Sequence, residues 1–227
     1  PRRRAVTAPR DRRAVAAGYD AGADGYDARH ADRRGAARAR AIDRVLLDAT
    51  RGAARVLEIG VGTGRLLAQV AAPARLGVDI AGRMLVHARA RGLAVAQADG
   101  HALPIASGTI DAVIAGKGAL RYLDPAVALP EIARVLRPGG VLAAHLYPRR
   151  TLRLRPAAPA PPELWQPADA AALVATLATA GFAVERLARF RSVRVWPYAL
   201  AIPAWIDARS PLPLWSHVAV VARLAAR

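Results

Sequence analysis

The sequence predicts an α/β fold, a Rossmann-like, doubly wound and mostly parallel sheet of seven strands with an antiparallel last strand. Three observations carry this. Short apolar runs alternate with helix-periodic segments from residue 52 to 147. One such run, RVLEIGVGTGRLL (55–67), ends in three closely spaced glycines. The runs after it end in Asp79 and Asp99. Strands separated by helices form parallel sheets with right-handed crossovers, and a glycine turn after the first strand sits at the sheet edge where ligands bind.

Taken in order, residues 1–17 hold six arginines and one aspartate without apolar periodicity, which reads as a disordered basic arm. Residues 18–227 then form one domain, with a ligand-binding core at 52–147 and a substrate or cap region at 148–215. In YDAGADGYDARH (19–30) the tyrosines recur seven apart, on one face of a helix. Ile42, Val45, Leu46 and Ala49 recur at helical spacing before the first strand. Val56, Leu57 and Ile59 form that strand, and Arg65 to Ala72 is expected to be the helix after it. Arg75 to Asp79 is a second strand, followed by a helix through Met84, Leu85 and Ala88 that Gly92 ends. Leu93 to Ala98 and Ile110 to Ala115 are the third and fourth strands. Asp124 and Pro125 open the next helix, and Pro130 predicts a late start or a kink there. Val141 to Tyr147 is the fifth strand. After a proline-rich stretch at 155–167 come a helix (168–180) and a strand (182–190). The closing strand (217–222) is separated from that one only by a proline-rich excursion, so the two are expected to be antiparallel.

Composition excludes several classes. The chain has 227 residues and no cysteine, so disulfides, thiolate metal sites and a cysteine nucleophile are absent. The five histidines show no ligand spacing, and no metal is expected. The net charge of +17 rests on 33 arginines and a single lysine, Lys117, a skew that resembles codon bias. Basic and acidic residues number 13 and 7 in 1–51, 10 and 6 in 52–148, and 11 and 4 in 149–227, so the excess is spread and a nucleic-acid surface is disfavoured. No apolar run approaches the ~20 residues of a membrane span, and no secretory pattern is present, so a cytoplasmic protein is expected.

The glycine turn defines the ligand. A nicotinamide site expects G-x-G-x-x-G, whereas this turn reads G-x-G-x-G (Gly60, Gly62, Gly64), with Arg65 where the third glycine would stand. Asp79 can accept both hydroxyls of a ribose, and Asp99 an exocyclic amine such as that of adenine. Glu58, two residues before the turn, opposes a pyrophosphate and suits a cationic amino acid. A ribose, an adenine and an ammonium without phosphate describe S-adenosylmethionine.

The segments VLEIGVGTG (56–64), GVDIAGRML (77–85), ADGHALPIASGTIDAV (98–113) and EIARVLRPGGVL (131–142), with YDAGADGYD at 19–27, resemble the class I S-adenosylmethionine-dependent methyltransferases, in the small-molecule branch that includes quinone-biosynthesis C-methyltransferases. The resemblance implies that Gly60, Gly62 and Gly64 shape the cofactor loop and that Asp79 holds the ribose. It also implies that Ile80, Asp99, Gly100 and His101 frame the adenine and that Tyr26 closes the site. Glu58 and Ala115 complete the expected cofactor contacts. Two departures stand out. Ile105 and Ile110 replace the usual Phe, which keeps the packing apolar, and Leu120-Arg121-Tyr122 replaces Leu-His-His, which removes a histidine base there. The segment AGKGALRY (115–122) lacks the tetrads of amino-methylating nucleic-acid enzymes.

Methyl transfer from a sulfonium needs positioning above all, and a base only where the acceptor must lose a proton. His101 and His145 are the candidate bases, and a structural role competes for each. The expected acceptor is a small lipophilic or aromatic molecule. WPYALAIPAW (196–205) could cap it, with Arg189, Arg191 and Arg194 nearby for an anionic group or a peripheral membrane surface; edge or interface packing is the competing reading of these aromatics. The alternatives in function are a non-catalytic cofactor-binding protein and an RNA-directed methyltransferase.

Overall fold

A computed structural model describes residues 9–30, 33–147, 165, 167, 169–191 and 215–226. Seven strands form one sheet: β1 (Arg55–Ile59), β2 (Ala74–Asp79), β3 (Ala94–Gln97), β4 (Ile110–Ala115), β5 (Leu136–Leu146), β6 (Phe182–Arg191) and β7 (Trp215–Leu224). Their order is β3-β2-β1-β4-β5-β7-β6. The first five run parallel, and β7 is antiparallel to both β5 and β6. The strand order reverses between β1 and β4, and this switch point opens a crevice at the carboxyl edge of the sheet.

Side-chain alternation along each central strand feeds two cores. Leu57, Ile59, Val113, Leu142 and Val220 face one side, under α5 (Pro125–Val135) and α6 (Ala170–Thr179). Val56, Ala112, Ile114, Ala143 and Val221 face the other, under α3 (Arg33–Asp48) and α4 (Gly82–Ala90). Trp165, the only tryptophan whose side chain is described, is buried in the first core, and its backbone N–H donates to the Arg121 carbonyl at 2.9 Å. The segment 196–205 and the side chain of Arg191 lie outside the described residues, as do residues 1–8.

Four sequence expectations are corrected. Within the expected disordered arm, residues 9–17 are helical, part of α1 (Pro9–Ala21), because Val15 is buried and Arg12 is ion-paired far along the chain. The expected helix after the glycine turn shrinks to a single 3₁₀ turn at Leu67–Gln69, in a connection that Pro73 cuts short. α5 starts at Pro125, where the ring suits the first helical position and the Asp124 side chain accepts from the Ala126 N–H, and it runs on through Pro130. Buried Ala128, Leu129, Ile132 and Val135 hold it across the missing donor. β5 begins at Leu136 rather than Val141, with a register shift against β4 that accommodates Pro138 to Gly140. Among the described residues no helix is long and apolar enough to cross a membrane.

Candidate active site

The crevice is an open cleft. Its floor is the β1 turn, with Ile59, Gly60 and Gly62. Gly60 (φ +69°) has left-handed backbone, and a Cβ there would lie 2.5 Å from Ala119 Cβ, so only glycine lets the two segments approach. Gly62 (φ +53°) is also left-handed, and its N–H donates to Asp79 Oδ2 at 2.8 Å. The Gly60 and Val61 N–H groups both donate to the Val78 carbonyl, and the Gly64 N–H to the Val61 carbonyl. These four amides are engaged within the protein, and no α-helix follows the turn. The two devices that hold a pyrophosphate, a nest of free amides and a helix N-terminus, are therefore not built here.

Asp79, at the end of β2, lines the cleft with both carboxylate oxygens oriented. Oδ2 takes the Gly62 N–H, and Oδ1 takes the Ala81 N–H at 2.9 Å. Burial raises its pKa, opposed by these bonds and by one from the Ile80 N–H. Asp99 Oδ1 accepts from the backbone N–H and the ring Nδ1 of His101, at 2.9 and 2.6 Å. Asp99 Oδ2 accepts from Arg12 of α1 at 2.6 Å. Burial alone would raise the Asp99 carboxyl; the His101 bonds and the Arg12 charge hold it at about 2, so it stays an anion.

Both ring nitrogens of His101 are committed, since Nε2 accepts from the Asp124 N–H at 2.8 Å. A backbone N–H can only donate, so the ring carries its proton on Nδ1 and gives it to Asp99. His101 orients Asp99 and offers no free lone pair, which corrects its reading as a base. His145 does not line the cleft. It is 3% exposed and lies 3.0 Å from His217, Nε2 to Nδ1, and burial, then His217 and the charges of Arg121, Arg38 and Lys117, push it down to about 3.

Of the other expected cofactor contacts, Tyr26, Gly60, Gly62, Ile80 and Gly100 line the cleft with Asp79, Asp99 and His101, while Glu58, Gly64 and Ala115 do not. Strand alternation turns Glu58 to the α3 side, beneath Gly116. Its Oε2 has no hydrogen-bond partner among the described residues, and burial raises the carboxyl well above its ordinary range.

Apart from Tyr26, sequence reasoning missed how the cleft is roofed. Arg12, Val15 and Tyr19 of α1, Tyr26 at the start of α2 (Tyr26–His30), and Tyr122 complete the wall. Tyr19 Oη lies 3.3 Å from Tyr122 Oη, and the Tyr19 ring centroid lies 6.3 Å from that of Tyr26. The aspartates between and beside the two tyrosines fasten this roof to α4. Asp20 accepts from the Arg83 N–H at 2.8 Å, Asp24 pairs with Arg83 and His87, and Asp27 pairs with Arg91 and accepts from the Thr63 hydroxyl. Arg83, His87 and Arg91 recur every four residues, opposite Asp20, Asp24 and Asp27, and that matched spacing was the available signal.

Residues 57–144 match a family model described as a methyltransferase domain. The demethylmenaquinone methyltransferase of Thermus thermophilus is 40% identical over 121 residues, covering 49% of this chain and 54% of that protein. Over residues 57–144 the chain is thus similar to methyltransferases. An uncharacterized Mycobacterium tuberculosis protein is likewise 40% identical, over 95 residues, 42% of this chain and 33% of its own length. The chain thus spans about half or less of these curated relatives. The methyltransferase fold extends beyond the matched segment. The structure of the Burkholderia thailandensis 1,6-didemethyltoxoflavin-N1-methyltransferase, with 1,6-didemethyltoxoflavin and S-adenosylhomocysteine bound, aligns with 99% of this chain and 94% of its own, at TM-score 0.65 and 18% identity.

Proposed function

We propose that the protein transfers the methyl group of S-adenosylmethionine to a small lipophilic or aromatic acceptor. The supporting observation is the pairing of two oriented carboxylates, Asp79 and Asp99, with a glycine turn whose amides are already engaged. Such a cleft suits a ribose and an adenine, and its glycine turn offers a phosphate none of the four engaged amides. When bound, the cofactor supplies a methyl group already activated on a sulfonium. Asp79 accepts from the two ribose hydroxyls, which its bonds to Gly62 and Ala81 pre-orient it to do. Asp99, kept ionised, accepts from the adenine amine. Ile59, Val78, Ile80, Met84 and Leu123 give the base apolar walls.

Tyr19, Tyr26 and Tyr122 narrow the cleft at its α1 side and suit a flat acceptor held against the methyl group. With His101 committed and His145 off the cleft wall, the proposed catalysis rests on alignment and exclusion of water, effects able to supply several kcal/mol of barrier lowering. The names of the menaquinone and toxoflavin relatives support a small-molecule acceptor. The test is formation of S-adenosylhomocysteine from S-adenosylmethionine with a panel of quinols, phenols and RNA. Turnover with a quinol or phenol supports the reading. Turnover with RNA alone, or with nothing in the panel while the cofactor binds, contradicts it.

A further inference from the structure

The one lysine of the chain stands on the wall of this cleft. Lys117 follows β4 and Gly116, and the chain uses arginine at its 33 other basic positions. A composition that replaces lysine by arginine nearly everywhere makes a lysine in the cleft a chemical choice: a compact ammonium rather than a planar fork. Its backbone adds a second observation. Lys117 is the only non-glycine residue with positive φ among those described, at +49°. Such a conformation costs on the order of 1 kcal/mol for a side chain with a Cβ and persists where the surroundings require it. Glycines flank it at 116 and 118, so the strained position is the one that carries the side chain.

The third observation is that the ammonium is unmatched among the described residues. Lys117 is half-buried and makes no hydrogen bond or ion pair with a described residue. Burial lowers its pKa first, then the charge of Arg65; Asp43, Asp27 and Glu58 act in the opposite direction. A half-buried cation without a contact partner is an uncompensated cost unless a ligand supplies the anion.

We propose that Lys117 is the oxyanion-binding residue of the cleft, holding either the carboxylate of the cofactor's amino-acid end or an acidic oxygen of the acceptor. The proposal rests on the methyltransferase reading for the identity of the ligands, not for the existence of the site.

The test compares wild type, Lys117→Met and Lys117→Arg by calorimetry with three probes: S-adenosylhomocysteine, 5′-methylthioadenosine, which lacks the amino-acid end, and 4-nitrophenolate. A loss of about tenfold or more for S-adenosylhomocysteine in Lys117→Met, recovered only in part by the charge kept in Lys117→Arg and absent for 5′-methylthioadenosine, assigns the cofactor carboxylate. A comparable loss confined to 4-nitrophenolate assigns the acceptor. A parallel readout on wild type needs no variant, because Lys117 is the only ε-amine: the assigned ligand must slow its acetylation, followed by mass spectrometry. Affinities within about twofold for every probe, with no protection from acetylation, overturn the proposal. If wild type binds no S-adenosylhomocysteine, the cofactor reading falls, and Lys117 is judged by 4-nitrophenolate alone.

Discussion

The buried pair His145 and His217 makes this protein acid-sensitive in a way that one substitution isolates. Burial holds His145 at about 3 and His217 at about 4, against an ordinary value near 6.5. Both values are depressed for groups that gain charge on protonation, so the unfolded chain binds more protons than the folded one below about pH 6.5. The neutral pair's stability is therefore intact above that value and is lost progressively as pH falls toward 4. At pH 5 an unfolded histidine lies about 1.5 units below its pKa, which penalises the folded state by about 2 kcal/mol for a fully buried ring. His217 is partly exposed, and solvent screening cuts its share to about 1 kcal/mol. Between pH 7 and pH 5, these two groups should cost the wild type about 3 kcal/mol and His145→Gln about 1. Glutamine can keep a hydrogen bond to His217 without titrating. Asp79 and Glu58, whose raised values act with the opposite sign, contribute equally to both proteins and cancel in the difference. Urea unfolding at the two pH values, with the slope checked for constancy, reads the quantity directly. Equal losses in wild type and His145→Gln would refute the reasoning.

The glycine turn and the roof make two further predictions. Gly60→Ala should destabilise by about 2 kcal/mol or more in urea unfolding, since it adds a Cβ at φ +69° and drives it into Ala119; a change under about 0.5 kcal/mol would mean the turn relaxes freely. By carbon-detected NMR titration, His101→Ala should raise the Asp99 pKa more than Arg12→Ala does, because the His101 ring is the stronger of the two lowering influences; the reverse order would make the roof, not the ring, the source of the charge.

Much of the sheet was legible because its strands are buried on both faces and read as apolar runs. Ile110–Ala115 was delimited to the residue, and β1 to within one. What escaped depended on distant partners. The basic arm gave no periodicity, yet residues 9–17 fold because Arg12 meets Asp99, 87 positions away, and Val15 finds an apolar wall. The carboxylates at the ends of β2 and β3 were found from position alone, but the tasks of their neighbours were not. His101 read as a candidate base with a structural role competing, and only Asp124, 23 residues on, shows that its second nitrogen is taken. Glu58 is two residues from the turn in sequence, but strand alternation sends it to the opposite side of the sheet. The single lysine was visible at once, but only the arginine skew around it was interpreted, as codon bias; its left-handed backbone and its place on the cleft wall appear only in the structure.

The central claim, that this cleft is a cofactor site framed by Asp79, is tested most directly by calorimetric titration of S-adenosylmethionine into wild type and Asp79→Ala. Loss of two charge-assisted hydrogen bonds to the ribose should weaken binding at least about tenfold in a variant that still folds. Unchanged affinity would remove Asp79 from the site and contradict the account.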